Sequence, residues 1–94
     1  MEFKQLTVYK KALIVFTEID TKVLSLKELD KNLKGQLQRA TISIILNIAQ
    51  GSSRFSHADR KNYFVISRGS AFECSAVLYI IFCSTKNKFQ EIEK

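Results

Sequence analysis

Residues 39–51 read RATISIILNIAQG, and this stretch decides how the rest of the chain is interpreted. It is apolar enough to form a buried helix, yet Arg39, Ser43 and Asn47 recur at intervals of four residues. Gln50 follows Asn47 after three more. This spacing places polar side chains along one flank of an α-helix. The stretch therefore predicts a mostly buried helix that carries one polar stripe.

The polar stripe has two interpretations, a ligand-binding site or a hydrogen-bonded structural seam that fixes the register of two helices. A buried arginine without a partner would cost several kcal/mol, so Arg39 needs a carboxylate or several carbonyl groups. Glu73 is the carboxylate that lies within a strongly apolar stretch, and Ser67 and Ser70 lie near it in the sequence. We favour the structural seam, in which Glu73 pairs with Arg39. Its predicted members are Arg39, Ser43, Asn47 and Glu73.

Length and composition favour one helical domain over residues 1–94. The chain has 94 residues, 46% of them hydrophobic, with no proline and only three glycines. Such a composition permits long helices and argues against a turn-rich β-sandwich or barrel. No run reaches the roughly 18 to 20 apolar residues of a membrane span, and the N-terminus does not read as a signal peptide. We therefore expect a cytoplasmic protein with no membrane partner.

Apolar periodicity predicts three long helices and the beginning of a fourth. The first covers about residues 6–24. The second begins near residues 33–34 and ends at Gly51, which would cap it in the left-handed conformation. The third covers about residues 57–83, with Ser56 and Asp59 as a capping box. Residues 88–94 would form only the opening turns of a fourth helix. The predicted fold is an all-α, up-down antiparallel bundle of the four-helix type with a short or truncated fourth helix.

The second and third helices carry more apolar surface than one small domain can cover. The second helix is apolar on most sides, and such a helix is normally buried on most sides. The third has a heptad-like apolar line, formed by Tyr63, Ile66, Ser70, Cys74, Val77 and Ile81. A partner chain would cover the excess, so we expect an oligomer.

The basic charge is concentrated in the middle of the chain. The formal net charge is +6, and residues 51–70 contain four basic residues against Asp59 alone. Such a bias suits a polyanionic partner, whose phosphates lysine and arginine would neutralise. A solvated surface is the alternative for each side chain. The candidate nucleic-acid contacts are Lys10, Lys11, Arg54, Arg60, Lys61 and Arg68.

Catalytic and metal-binding patterns are absent from the sequence. His57 is the only histidine, and a solvated loop histidine is a simpler interpretation than a general base. No set of ligands has the spacing of a metal site, and no phosphate-binding glycine loop is present. Cys74 and Cys83 are nine residues apart, so on one helix they point to opposite sides and remain reduced. We expect no enzyme activity, no cofactor and no metal.

Three segments together resemble a known bacterial family: FKQLTVYKKA at 3–12, LKGQLQRATISIILNIAQGSSR at 33–54 and YFVISRGSAFE at 63–73. The family consists of four-helix bundle proteins encoded in intervening sequences of large-subunit ribosomal RNA genes. The accessory variability proteins of diversity-generating retroelements are similar to it. The chain departs from the family pattern at Tyr9, Gln50 and Ile45, where tryptophan, glutamate and often proline are usual.

The resemblance implies a non-enzymatic protein that assembles into basic, pentameric rings. It also implies binding to nucleic acid and, for the retroelement relatives, to a reverse transcriptase. Arg39, Asn47 and Glu73 match family positions and would determine the fold. Two functions remain open: an oligomeric module that binds nucleic acid, with structured RNA favoured and little sequence specificity, or a scaffold for a protein such as a reverse transcriptase.

Overall fold

The structure, a computed structural model, describes the backbone of residues 3–93 and the side chains of residues 3–84. It is helical, and residues 3–93 contain no strand. A short 3-10 helix at Phe3–Gln5 precedes α1 at Thr7–Ile19, which a π-helical turn at Asp20–Leu24 extends. The other helices are α2 at Lys31–Ser52 and α3 at His57–Glu93. The predicted all-α class is confirmed.

The predicted first helix is present, with a change of helix type near its end. Ile19 and Leu24, from its apolar side, are buried in the core. Before it, the ring of Phe3 packs edge-on against Tyr9, with 5.0 Å between ring centroids. The 3-10 helix at Phe3–Gln5 thus folds back on α1.

Helix α2 begins two to three residues earlier than predicted because Asp30 caps it. The Asp30 carboxylate accepts hydrogen bonds from the backbone N–H groups of Asn32 and Leu33 at 2.7 and 3.2 Å. These bonds satisfy two of the N–H groups that a helix start leaves free.

Gly51 does not cap α2 in the left-handed conformation, so that prediction is wrong. The described glycines have no positive φ, and α2 continues to Ser52. Gly51 is buried, and a Cβ at this position would lie 2.9 Å from Phe64 Cε1 and 3.0 Å from Tyr63 Cβ. The missing side chain therefore lets α3 approach the end of α2 closely.

Helix α3 begins as predicted but is ten residues longer. The Ser56 hydroxyl accepts a hydrogen bond from the Asp59 backbone N–H at 3.1 Å, which caps the helix start. Residues 84–93 continue α3, so the predicted opening turns of a fourth helix are not formed there. No proline or glycine follows Gly69, and nothing in the sequence breaks the helix. Residues 3–93 thus contain three α-helices.

The core lies between α2 and α3 and is closed at one end by the end of α1. Leu37 is completely buried there, beside Cys74, Val77 and Ile81. Along the first half of α3 the buried face differs from the predicted apolar line, since Ser67 is buried while Ile66 is exposed. Helix α1 packs mainly on α2. An open groove therefore separates α1 from α3.

One stretch of α3, His57–Ser84, is long and apolar enough to cross a membrane, judged by length and composition alone. It is not an unbroken apolar run, since Arg68 and Glu73 lie within it. Only 22% of its apolar window is buried. A single helix of this kind is weak evidence for a membrane protein, because some helices of soluble proteins pass the same test of length and composition.

Candidate nucleic-acid interface

The first three turns of α3 carry a basic stripe. His57, Lys61, Phe64 and Arg68 are separated by four, three and four residues and so share one face of the helix. Together with Arg60 they line an open depression of about 910 Å³. Asp59, which is exposed, is the single acidic residue in residues 51–70. The stripe therefore presents several cations around one aromatic ring.

The groove between α1 and α3 adjoins this stripe. Its volume is about 480 Å³, and Phe64 and Arg68 line both the groove and the depression on α3. From α1, Lys11 reaches the same groove beside the apolar Val8 and Val15. Helix packing thus brings Lys11 to the surface that carries Arg68, although 57 residues separate them in the sequence.

The loop between α2 and α3 forms a second basic site next to the stripe. Ser52, Ser53, Arg54, Phe55 and Arg60 line a depression of about 370 Å³. The Arg54 guanidinium lies 4.7 Å from the centre of the Tyr63 ring and donates a 2.7 Å hydrogen bond to its hydroxyl. Arg60 borders both depressions and connects them.

Five of the six candidate contacts therefore lie on one connected surface: Lys11, Arg54, Arg60, Lys61 and Arg68. Lys10 is exposed on α1 but lines none of these depressions. We name the connected surface the basic surface.

The polar stripe of α2 lies partly at the interface with α3. Ser43 Oγ and Ser70 Oγ are 2.8 Å apart, and Asn47 Nδ2 donates to the Ser43 carbonyl and hydroxyl oxygens at 2.8 and 3.1 Å. Nearby, the Ser67 hydroxyl donates to the Ile44 carbonyl at 3.0 Å. The two helices are thus held in register by hydroxyl groups that make bonds between them.

Arg39 and Glu73 do not form the expected buried pair. Both residues are exposed, and in the described part of the chain neither forms an ion pair. The Arg39 guanidinium folds back over its own helix, since its Nη1 lies 3.2 Å from where a Cβ on Gly35 would be. Gln50 is also exposed. Solvent rather than Glu73 therefore compensates the charge of Arg39.

The thiols and the potential metal ligands in the described part of the chain are not grouped into a site. Cys74 is buried and Cys83 half-buried, and both are free thiols. Burial, with a smaller effect from the Glu73 carboxylate, raises the pKa of the Cys74 thiol. Within the described residues, no three histidine, cysteine, aspartate or glutamate residues are grouped as metal ligands would be.

Sequence comparison matches the chain to the family model described as 23S rRNA-intervening sequence protein, over residues 4–94. The chain belongs to this family. The resemblance inferred from the three sequence segments is thus confirmed for the family encoded in ribosomal intervening sequences. No curated protein and no solved structure matched the chain. The family description identifies the origin of such genes and leaves the activity of the protein open.

One residue of the basic surface was missed by sequence analysis. This residue is Phe55, which is 100% exposed and lies between Arg54 and Ser56, the residue that caps the start of α3. The sequence contained a usable signal, because an aromatic residue in a serine-rich loop beside arginine cannot belong to a helical apolar face.

Proposed function

We propose that this member of the 23S rRNA-intervening sequence protein family is a non-enzymatic accessory protein that binds nucleic acid, with RNA favoured. The observation that carries the proposal is the basic surface, on which Lys11, Arg60, Lys61 and Arg68 line connected depressions. No carboxylate lies within ion-pair distance of these four groups in the described part of the chain. Their charges are therefore available to phosphates.

The mechanism is neutralisation of backbone phosphates with release of counterions. Each phosphate contact steepens the fall of affinity with salt by roughly one unit on a double logarithmic plot. Lysine and arginine contacts to phosphates position a protein without reading the sequence. The basic surface therefore supports binding with little sequence specificity.

The test compares two double variants that remove the same charge from opposite ends of the molecule. Lys61→Gln/Arg68→Gln changes the basic surface. Lys27→Gln/Lys31→Gln changes the connection before α2 and the first residue of that helix, and Lys27 lies near Ile81 and Ser84. Fluorescence anisotropy with an RNA hairpin measures the salt slope, which is the slope of log affinity against log salt concentration. It should become less steep by about two for the first pair only.

Two results would contradict the proposal. One is an equal loss for both pairs, which would reflect net charge alone. The other is a failure of micromolar protein to bind any RNA or DNA at low salt.

We further propose that the protein acts as a homo-oligomer. In the groove between α1 and α3, the apolar side chains of Val8, Val15 and Phe64 are 51%, 51% and 39% exposed. Exposed apolar patches are usually covered by a partner chain. The family resemblance favours a pentameric ring. The groove between α1 and α3 is the place where a fourth helix would complete an up-down bundle.

Substitutions on α1 test whether the groove is covered in the assembly. Val15 lines the groove, whereas Ile14 is similarly exposed but lies outside it. Val15→Glu should lower the mass measured by light scattering, and Ile14→Glu should not. A wild-type mass of 10.8 kDa at micromolar concentration would exclude the oligomer.

We propose the cytoplasm as the location of the protein. Arg68 and Glu73 lie in the middle of the stretch that could cross a membrane, and each would cost about 2.5 to 3.5 kcal/mol near the bilayer centre. The protein should therefore remain in the soluble fraction when mixed with neutral phosphatidylcholine vesicles. Flotation with such vesicles would contradict this location.

The second candidate function is a scaffold that holds a protein partner, such as a reverse transcriptase, without contacting nucleic acid. It is favoured by the groove between α1 and α3, where Val8, Val15 and Phe64 are partly exposed. Affinity purification from the native host, with and without nuclease, separates the two functions. A partner that survives nuclease treatment and is lost with Val15→Glu favours the scaffold.

A further inference from the structure

Phe55 is exposed although its loop is well held. The loop backbone is fixed by hydrogen bonds from Ser53 N–H to Gln50 O and from Arg54 N–H to Gly51 O, both of 3.2 Å. On the other side, Arg60 Nη2 donates to the Phe55 carbonyl oxygen at 3.4 Å. The ring is therefore presented to solvent by an ordered turn, which reduces the entropy lost when a ligand packs on it.

Two arginines lie beside this ring. Tyr63 holds the Arg54 guanidinium through its ring face and its hydroxyl, and this contact uses one of the five N–H groups of an arginine. The contact of Arg60 with the loop is long and uses Nη2, while its Nε is buried without a hydrogen-bond partner among the described residues. The donors that Arg60 can offer to an anion are therefore those of its Nη groups. No carboxylate lies within ion-pair distance of either guanidinium in the described part of the chain. Both arginines thus keep donors for an anion.

The combination of one exposed ring and two cations matches the chemistry of an unpaired nucleotide. Such a nucleotide has a flat base that can stack on an aromatic side chain and a phosphate that binds guanidinium groups. In a duplex, the faces of internal bases are already stacked and cannot reach the ring. The depression lined by Ser52, Ser53 and Phe55 also contains Arg54 and Arg60. It therefore places the ring that would stack on a base beside the guanidinium groups that would bind a phosphate.

We propose that the loop between α2 and α3 binds an unpaired nucleotide of a single-stranded nucleic acid. The base stacks on Phe55, and Arg54 and Arg60 contact the adjoining phosphate. This inference rests on the proposed function and narrows it, because it directs the protein to single-stranded segments of its target. The same stacking chemistry accepts RNA and DNA, since every base has a π face.

The test compares Phe55→Ala with Phe72→Ala, which truncates another strongly exposed phenylalanine far along α3. The probes are a single-stranded 12-nucleotide RNA and a blunt-ended duplex of the same length. Phe55→Ala should weaken binding of the single strand about 5- to 150-fold, the range found for base–aromatic stacking. It should change duplex binding less than about twofold and leave the salt slope unchanged, because no phosphate contact is lost. Phe72→Ala should change neither.

A fluorescence measurement observes the stacking directly. The chain has no tryptophan, so Phe55→Trp introduces a single reporter at the loop. Its emission should be quenched on titration with the single strand and not with the duplex. Because Phe55 is fully exposed, neither substitution should alter the circular dichroism spectrum.

The outcomes separate this inference from the proposed function. If the wild-type protein binds neither probe, both fail. If it binds with a steep salt slope but Phe55→Ala behaves like Phe72→Ala, the proposed function stands and the stacking site is wrong. Three other results would also overturn the inference. Phe55→Ala could weaken binding of the single strand and the duplex equally, or Phe55→Leu could bind the single strand as tightly as the wild type. A lower oligomer mass of Phe55→Ala would instead assign Phe55 to a protein interface.

Discussion

The interface between α2 and α3 and the groove between α1 and α3 are built from similar apolar residues but differ in closure. At the interface, Leu37 is fully buried, Gly51 permits close approach, and Ser43 bonds Ser70. Among the described residues, the groove has no comparable closing contact, and Val15 on its wall remains about half exposed. The difference indicates that the α2–α3 hairpin supplies most of the stability of the separate chain, while the groove is a surface for further packing.

The largest expected effect comes from truncating the closed interface. Leu37→Ala should reduce the free energy of unfolding by about 2 to 5 kcal/mol, because it removes apolar contacts and leaves a cavity. Leu46→Ala, at a side chain that is 52% exposed on the same helix, should cost less than about 1 kcal/mol in the dilute chain. Urea unfolding at several protein concentrations measures both. An equal cost for both substitutions in the dilute chain would contradict the assigned core.

The next effect tests the close approach of α3 at Gly51. Gly51→Ala should destabilise the protein by about 1 to 3 kcal/mol, because its methyl group would meet Tyr63 and Phe64. Gly69→Ala is the matched control, since a Cβ there has no neighbour within 4 Å. It should stabilise the helix by about 0.5 to 1 kcal/mol. Thermal unfolding of the two variants should therefore shift in opposite directions, and a shift in the same direction would refute the role assigned to Gly51.

Gly51 also shows where sequence analysis succeeded and where it failed. Periodicity placed the three helices and most of their ends within a few residues, because apolar spacing and capping residues are local signals. The exception is the end of α3, which lies ten residues beyond its predicted position. The glycine was interpreted as a helix cap, but its reason is the approach of Tyr63 and Phe64, which depends on how α3 crosses α2. The same limitation explains Arg39. Spacing of four placed it on the polar stripe, but only packing shows that the stripe turns into solvent at that position.

The candidate site was predictable in its charges and not in its shape. Arg60, Lys61 and Arg68 share one helix, so sequence spacing was enough to place them together. Lys11 joins them through the packing of α1, which no local pattern encodes. Phe55 belongs to no periodic apolar face, because it lies in a loop whose geometry determines its exposure.

A smaller effect is expected from the hydrogen bond between Ser43 and Ser70, which belongs to the closed interface. Ser43→Ala and Ser70→Ala should each cost about 1 kcal/mol or slightly more, because each leaves a partly buried hydroxyl or amide with fewer partners. The double variant should cost less than the sum of the single ones, since it removes both members of the pair. Strict additivity in this double-mutant cycle would show that the two hydroxyl groups are not coupled.

The smallest effect concerns the thiol of Cys74, whose ionisation makes the stability of the closed interface depend on pH. Burial raises the pKa of this thiol, so above the ordinary thiol pKa of about 8.5 the folded chain binds more protons than the unfolded chain. The free energy of unfolding should therefore fall as the pH rises through that value, and Cys74→Ala should reduce this slope. In native protein, a thiol reagent should modify the half-buried Cys83 before the buried Cys74. Preferential modification of Cys74 would mean that α2 and α3 separate readily, which would contradict the closure assigned to their interface.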